Sequence, residues 1–332
     1  MFLVAGPCAA ETEEQVLAAA SALRVFAPVF RAGLWKPRSQ PDSFQGVGEK
    51  GLEWLQRVEK ETGLRTATEV TNEEQLVKAL LAGVTYVWIG ARTSSNPIAV
   101  QALANGLRKI LSEDDVKLRG VMVKNAMHED APLWMGNVRR IQEAVEEHNI
   151  TVMAVHRGCN HRPCWEMAYR FRQEMAGVPL LLDPSHMSGD ARLIGRLCEK
   201  AMTLDYDGLM IEVHPHPEEA WSDAKQQITP ETLRDTLRSL VKEVNVTDMP
   251  LRWLRVMMDE VDDELWQTIN RRMAISRRIG EWKRQKGVAV RQPARFDDIL
   301  TRRIEEEKAN GLAEETVTAI CHALHEESIR QQ

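Results

Sequence analysis

Lys36, Arg38, Arg92, Lys124 and Arg157 each follow closely on a short apolar run, and a second set of Cys8, His186, Glu212 and Asp223 joins a thiol, an imidazole and two carboxylates. Five cations brought together would repel one another unless an anion sat among them. Arginine in particular grips phosphate and carboxylate through paired N–H groups. The first set therefore predicts a polyanionic, phosphorylated substrate, the alternative being that its members pair with acids on the rim. The second set mixes soft and hard donors. It suits Mn²⁺, Fe²⁺, Co²⁺ or Zn²⁺ better than Mg²⁺ or Ca²⁺, and such an ion would serve as a Lewis acid on a carbonyl. A lone cysteine on an apolar strand is also an ordinary core residue, so spacing alone leaves the metal reading open.

These residues can meet only if the chain brings distant segments together. Apolar runs rich in Val, Ile and Leu recur at Phe2 to Ala5, Val29 to Leu34, Arg65 to Val70, Tyr86 to Ala91, Gly120 to Lys124, Thr151 to His156, Pro179 to Leu182 and Gly208 to Val213, each followed by a helix-like stretch. Eight strands alternating with helices predict a (β/α)₈ barrel, the TIM barrel of the α/β class, with an open doubly wound sheet as the alternative. In a barrel the C-terminal strand ends share one mouth. There Cys8, Lys36 with Arg38, Glu69, Arg92, Lys124, His156 with Arg157, His186, and Glu212 with His214 would converge. Strand eight closes on strand one, which would bring Glu212 and Asp223 to Cys8. Gly46-Val47-Gly48-Glu49-Lys50-Gly51 matches a dinucleotide-binding pattern, but it begins a dozen residues after its strand and reads better as a loop leading into a helix.

Composition limits the rest. The 332 residues carry 43 Lys plus Arg against 49 Asp plus Glu, a net charge of −6, which argues against a nucleic-acid binder. No apolar stretch is long enough to span a membrane, and the opening Met1 to Cys8 lacks the charged start of a signal peptide. Five cysteines, with neither a CxxC pair nor a balanced disulfide framework, suit a cytoplasmic protein. Thirteen of the 14 prolines and 16 of the 19 glycines lie before residue 251, so the chain divides near Asn245 to Pro250 into domains 1–248 and 249–332.

The second domain reads as three helices. Leu254, Met258, Val261, Leu265, Ile269, Met273, Ile275 or Ser276, Ile279 and Trp282 recur at helical spacing up to Gly287, and a stripe that long needs a partner to bury it. Pro293 opens a second helix that Gly311 stops, and a third runs from about Ala313 to the end. Arg255, Arg272, Lys283 and Arg295 fall beside apolar positions, where basic side chains commonly snorkel.

Gly6-Pro7-Cys8-Ala9-Ala10-Glu11, Lys36-Pro37-Arg38-Ser39-Gln40-Pro41, Ile89-Gly90-Ala91-Arg92-Thr93, Val123-Lys124-Asn125, His156-Arg157-Gly158, Asp183-Pro184-Ser185-His186 and Glu212-Val213-His214 with Ser222-Asp223-Ala224 resemble the type I 3-deoxy-D-arabino-heptulosonate 7-phosphate synthases, in that family's order. The resemblance implies condensation of phosphoenolpyruvate with erythrose 4-phosphate, the first step of the shikimate route to aromatic amino acids. It implies a divalent ion, Mn²⁺ favoured, on Cys8, His186, Glu212 and Asp223, and no organic cofactor. It assigns the phosphate and carboxylate of phosphoenolpyruvate to Arg92, Lys124 and Arg157 with Lys36 beside them, places Glu69 in the substrate site, and gives Arg38 and Ser39 the erythrose 4-phosphate side. C3 of phosphoenolpyruvate attacks the polarised aldehyde, water captures C2, and phosphate leaves. A sister family acting on arabinose 5-phosphate typically reads Lys-Ala-Asn where this chain has Lys36-Pro37-Arg38, which favours the four-carbon aldehyde. The loop Asn125 to Asp130 departs from the common family pattern but leaves Lys124 in place.

Residues 251–332 resemble the all-helical chorismate mutases. Arg255 with Asp262, Arg272, Gly280, Lys283, Arg295, Ser328 and Gln332 stand where that family has its functional or structural residues. The resemblance implies that chorismate is held for a pericyclic shift to prephenate, with Arg255, Arg272 and Arg295 clamping its oxygens and Lys283 and Gln332 facing the ether oxygen. It implies a homodimer through the long helix, with Arg255 acting across the interface. Gln292 replaces a common Asp, and Phe296 replaces a Glu that contacts the substrate hydroxyl. The first strand is expected to start at once, which would leave no room for a separate sensing domain ahead of the barrel. The mutase domain is thus the expected feedback sensor, with chorismate or prephenate as effector. Two alternatives stand beside this reading: a non-catalytic, ligand-sensing and dimerising tail on the same synthase, and a metal aldolase of another sugar phosphate.

Overall fold

The computed structural model describes residues 1–37, 42–113, 115–240 and 249–332. Eight strands alternate with helices from the first residues on. They are β1 (Phe2–Gly6), β2 (Val29–Arg31), β3 (Arg65–Glu69), β4 (Tyr86–Ile89), β5 (Gly120–Lys124), β6 (Thr151–His156), β7 (Leu180–Leu182) and β8 (Gly208–Glu212). All pair in parallel in sequence order, and β8 returns to β1 with Gly6 opposite Glu212, closing the expected barrel. The strand ends Glu69, Lys124 and Glu212 therefore face one mouth, as anticipated.

Alternation along each strand decides which side chains enter the barrel. Val4, Val29, Ala67, Tyr86, Trp88, Met122, Met153, Val155, Leu181 and Met210 fill its interior. Their neighbours Leu3, Phe30, Val87, Val121, Ala154, Leu180 and Leu209 pack outward against the helices. Continuing the inward register by two residues gives Arg31, Glu69, Lys124, Arg157, Asp183 and Glu212. Thr12, Asn72, Asn96, Asp130 and Thr229 cap the N-termini of five barrel helices, each accepting a bond from a first-turn backbone N–H.

Two features of the barrel differ from the sequence reading. β2 ends at Arg31, because the next residues leave the ladder: Leu34 N donates to Thr68 Oγ1 at 3.2 Å and Lys36 N to Gln45 O at 2.9 Å. His156 has the opposite parity to Arg157 and so points away from the mouth. It lies fully buried between barrel and helices, with its Nδ1 2.8 Å from the Tyr206 hydroxyl, and burial pushes its pKa down to about 3. The glycine pattern at 46–51 leads into the helix Lys50–Thr62, with Gly48 N bonded to Leu34 O, and wraps the loop after β2.

The tail forms the three expected helices: Met249–Lys286, Pro293–Ala309 and Glu314–Gln331. Gly287 and Gly311 take positive φ at 65° and 86°, the conformation that ends a helix most easily on glycine. The break anticipated near Asn245 to Pro250 falls mostly on 241–248, outside the described residues. The chain separates into compact units Met1–Met257 and Met258–Gln332. The first turns of the long helix belong to the barrel unit because Trp253, 1% exposed, packs among Trp165, Tyr169 and Tyr206.

Within the second unit Met273 and Val317 are buried, whereas Met258, Val261, Leu265, Trp266, Ile275, Ile279 and Trp282 are exposed. Among the described residues, no helix is long and apolar enough to cross a membrane.

Two candidate active sites

The first site occupies the barrel mouth, around a cavity of about 170 Å³. The inward register delivers Arg31, Glu69, Lys124 and Arg157 to its wall, and the segments after the strands add Lys36, Arg92, His186 and Asp223. Cys8 and Glu212 are fully buried beside it. The turn that carries Cys8 depends on Gly6 (φ 149°), where a Cβ would lie 2.1 Å from Arg31 O.

Three of the four anticipated metal ligands cluster, and the fourth, His186, adjoins Glu212. The ligand atoms of Cys8, Glu212 and Asp223 all lie within 4.8 Å of one another, and His186 Nε2 is 3.5 Å from Glu212 Oε1. Cys8 Sγ bonds to Asp223 Oδ2 at 2.9 Å and accepts from Lys36 Nζ at 3.1 Å. The other ring nitrogen, His186 Nδ1, is held by Asp183 Oδ2 at 2.8 Å. A carboxylate on one imidazole nitrogen leaves the other as an oriented lone pair, the usual arrangement behind a metal-binding histidine. This donor set fits a divalent ion.

Three groups that the sequence reading did not single out complete the frame. Asp183, fully buried, receives Lys124 Nζ at 2.5 Å on the same oxygen that holds His186. Arg31 Nη2 donates to Glu212 Oε1 at 3.1 Å and to Cys8 O at 3.3 Å, and its guanidinium lies 4.6 Å from the Trp88 ring centroid. Gln226 Nε2 donates to the other Glu212 oxygen at 2.7 Å. Strand parity could have found Arg31 and Asp183. Nothing in the spacing of Gln226 points to Glu212.

The electrostatics follow from burial opposed by pairing. Burial, with Glu212 beside it, raises the Cys8 thiol far above its ordinary range. Burial works against ionised Asp183 and Glu212, yet His186 with Lys124 holds the first well below the usual carboxylate range, and His186 with Arg31 lowers the second. Burial also opposes the charge on Lys36, but Cys8 and Glu69 outweigh it and raise its pKa. Lys124 and Arg157 are shifted down by burial, each partly offset by Asp183. Arg31, Lys36 and Lys124 are met by Glu212, Glu69 and Asp183, so Arg92 and Arg157 are the cations of this cavity that gain most from an anionic ligand.

Lys36 reaches Glu69 at 4.0 Å, and Arg92 lines the same cavity. Arg38 and Ser39 lie outside the described residues. His214, also expected in the mouth, is buried 3.5 Å from Glu11 and does not line the cavity.

The second site is a cavity of about 340 Å³ between the tail helices, lined by Arg272, Lys283, Arg295, Phe296, His325, Ser328 and Gln332 among others. Arg272 Nη1 donates to Ser328 Oγ at 2.5 Å and Leu324 O at 2.9 Å. Lys283 Nζ donates to Val290 O at 2.7 Å and Gln332 Oε1 at 3.2 Å, while Gln332 Nε2 donates to Ser276 Oγ at 3.0 Å. The expected residues thus meet in one pocket, Arg255 excepted. That residue is exposed and does not line it.

Gly280 explains how the last residue is seated, since a Cβ there would lie 2.6 Å from Gln332 Cα. Gly280→Ala is expected to displace Gln332 and its bonds to Lys283 Nζ and Ser276 Oγ, lowering the activity of this cavity roughly 10- to 100-fold, the scale set by ångström-level misplacement of a group in a site. Steady-state kinetics check this, with the barrel reaction of the same sample unchanged.

The DAHP synthetase I family matches residues 1–247. The phospho-2-dehydro-3-deoxyheptonate aldolase of Thermotoga maritima is 30% identical over 251 residues, covering 72% of this chain and 69% of that protein. The chain belongs to the DAHP synthetase I family. The chorismate mutase type II family matches residues 254–332. A crystal structure of the Thermotoga maritima DAHP synthase superposes with a TM-score of 0.62 at 27% identity, covering 72% of this chain and 68% of that one. The 2-dehydro-3-deoxyphosphooctonate aldolase of Wolinella succinogenes is 27% identical over 265 residues, covering 73% of this chain and 98% of that protein. As a DAHP synthetase I family member fused to a chorismate mutase domain, the chain is a shikimate-pathway enzyme, a transferase and an isomerase in one polypeptide.

Proposed function

We propose that the barrel mouth joins phosphoenolpyruvate to erythrose 4-phosphate around a divalent ion, Mn²⁺ favoured over Fe²⁺, Co²⁺ and Zn²⁺, held by Cys8, His186, Glu212 and Asp223. The observation that carries this reading is the junction of the two sets, the Cys8 thiol lying 3.1 Å from Lys36 Nζ at the floor of the cationic cavity. When bound, the ion would supply Lewis acidity to the aldehyde oxygen. Arg92, Lys124 and Arg157 bind the phosphate and carboxylate of phosphoenolpyruvate, and Lys36 lies beside that site with Glu69 against it. Arg38 and Ser39 take the erythrose 4-phosphate. Asp183 orients Lys124 and His186 through one oxygen, and Arg31 with Gln226 holds Glu212 still. Their work is positioning and preorganised charge.

Equilibrium dialysis tests the metal reading: wild type should retain about one Mn²⁺ per chain and Cys8→Ala should lose most of it, since a missing ligand leaves an incomplete site. Equal retention by both would contradict the ligand set.

In the tail, Arg272, Lys283, Arg295, Ser328 and Gln332 bind chorismate and favour its rearrangement to prephenate. The exposed stripe from Met258 to Trp282 supports a homodimer, in which Arg255 of one protomer reaches the other's cavity. Mixing Arg255→Ala chains with Lys283→Ala chains is expected to restore about a quarter of wild-type mutase activity, because half of randomly paired two-fold dimers are mixed and each has one intact site. Continued silence after subunit exchange would contradict the crossing.

We also assign the mutase domain a feedback role, with prephenate or chorismate lowering synthase activity, and place the enzyme in the cytoplasm, a reading that the five free cysteines support. A flat synthase rate during prephenate titration would end the feedback reading. The second reading, a non-catalytic sensing tail, is favoured by Phe296, which puts an apolar ring on the cavity wall.

A further inference from the structure

Phe296 does not stand alone on the wall of the helical cavity. The ring of His325, from the last helix, stacks on it with centroids 4.0 Å apart and planes at 22°, and His322 meets the same ring edge-on at 5.0 Å. His325 lines the cavity with Arg272, Lys283, Arg295 and Gln332, whereas His322 does not line it and is exposed. The ring nitrogens of His325 make no hydrogen bond to another described residue. The charged groups facing it are Arg272 on the long helix, Arg291 before the middle helix, and His322 and Glu326 on its own helix. Burial and the cations lower its pKa, so near neutral pH it is an uncharged imidazole.

An uncharged imidazole offers one donor and one acceptor, which suits an alcohol, whereas the surrounding guanidiniums and ammonium suit carboxylates. Phe296 can donate to neither. The flat stacking leaves the edge of the His325 ring, with its nitrogens, as a polar element against Phe296, with Gln292 and Arg295 lining the same cavity.

We propose that His325 hydrogen-bonds the ring hydroxyl of chorismate, with Phe296 as the platform that orients its imidazole. The hydroxyl contact then comes from the last helix and not from position 296. The inference rests on the chorismate mutase reading of this cavity.

The test uses the full chain and two substrates, chorismate and its analogue lacking the ring hydroxyl. His325→Ala should lower kcat/KM for chorismate about 10-fold or more, as expected for an unmatched polar contact, and change the value for the deoxy analogue less than twofold. His325→Asn, which restores a donor and an acceptor, should recover part of the loss, and His322→Gln should match wild type on both substrates. An equal loss on both substrates, or no loss on chorismate, would overturn the role of His325 while leaving the mutase reading intact. A wild-type chain that leaves chorismate unchanged would overturn that reading, and this proposal with it.

Discussion

Asp183→Asn should lower synthase turnover by about 10³-fold while leaving chorismate rearrangement on the same chain at its wild-type rate. Asp183 is fully buried, and one of its oxygens holds both Lys124, at 2.5 Å, and His186, at 2.8 Å. The amide keeps the size but removes the charge and presents a donor to two donors. Loss of the carboxylate behind a metal-binding histidine typically costs 10- to 100-fold in affinity or activity. An unpartnered buried cation at Lys124 adds about 3 to 5 kcal/mol of penalty, partly relieved by substrate. Lys124 would then lose both position and charge. Two readouts separate these effects: Mn²⁺ affinity reports on His186 and KM for phosphoenolpyruvate on Lys124. A variant with wild-type values for both would show that Asp183 is only a packing residue.

Lys283→Ala should abolish most of the mutase activity, about 10²- to 10³-fold, the usual loss when one preorganised donor to a developing negative oxygen is removed. Lys283 is 8% exposed on the cavity wall, and its ammonium is already fixed by Val290 O and Gln332 Oε1, so little reorganisation is needed when charge develops. Alanine also removes the Lys283 bond to Gln332 and leaves the one to Ser276 Oγ. The loss should fall mainly on kcat, since the interaction strengthens in the transition state. A change confined to KM would place Lys283 on a carboxylate instead of the ether oxygen.

The barrel was legible because its signal is local and repeated. Each strand is a short apolar run, and part of the mouth stands two positions beyond its inward-facing members, as Met122 leads to Lys124 and Met210 to Glu212. The same rule, applied strictly, separates His156 from Arg157 and recovers Arg31 and Asp183. Reading all polar residues at strand ends as one set obscured that distinction. In the tail, Gly287, Pro293 and Gly311 mark helix ends through backbone geometry alone, and the structure follows them.

Other features depend on contacts that no local pattern encodes. The bond from Gln226 to Glu212 and the packing of Trp253 into the barrel unit arise from tertiary placement. The latter is why the compact units divide after Met257 and not at the shift in composition. His325 belongs here too. A histidine three residues before Ser328 is unremarkable until the structure sets its ring against Phe296.

One chain is expected to carry two chemistries, only the first of which needs a metal. This is tested most directly by two assays on a single purified sample: consumption of phosphoenolpyruvate with erythrose 4-phosphate and Mn²⁺, before and after chelation, and conversion of chorismate to prephenate under both conditions. Both activities are expected, with chelator abolishing the first and sparing the second. A chelator-resistant first reaction, or a chain inert toward chorismate in both conditions, would contradict it.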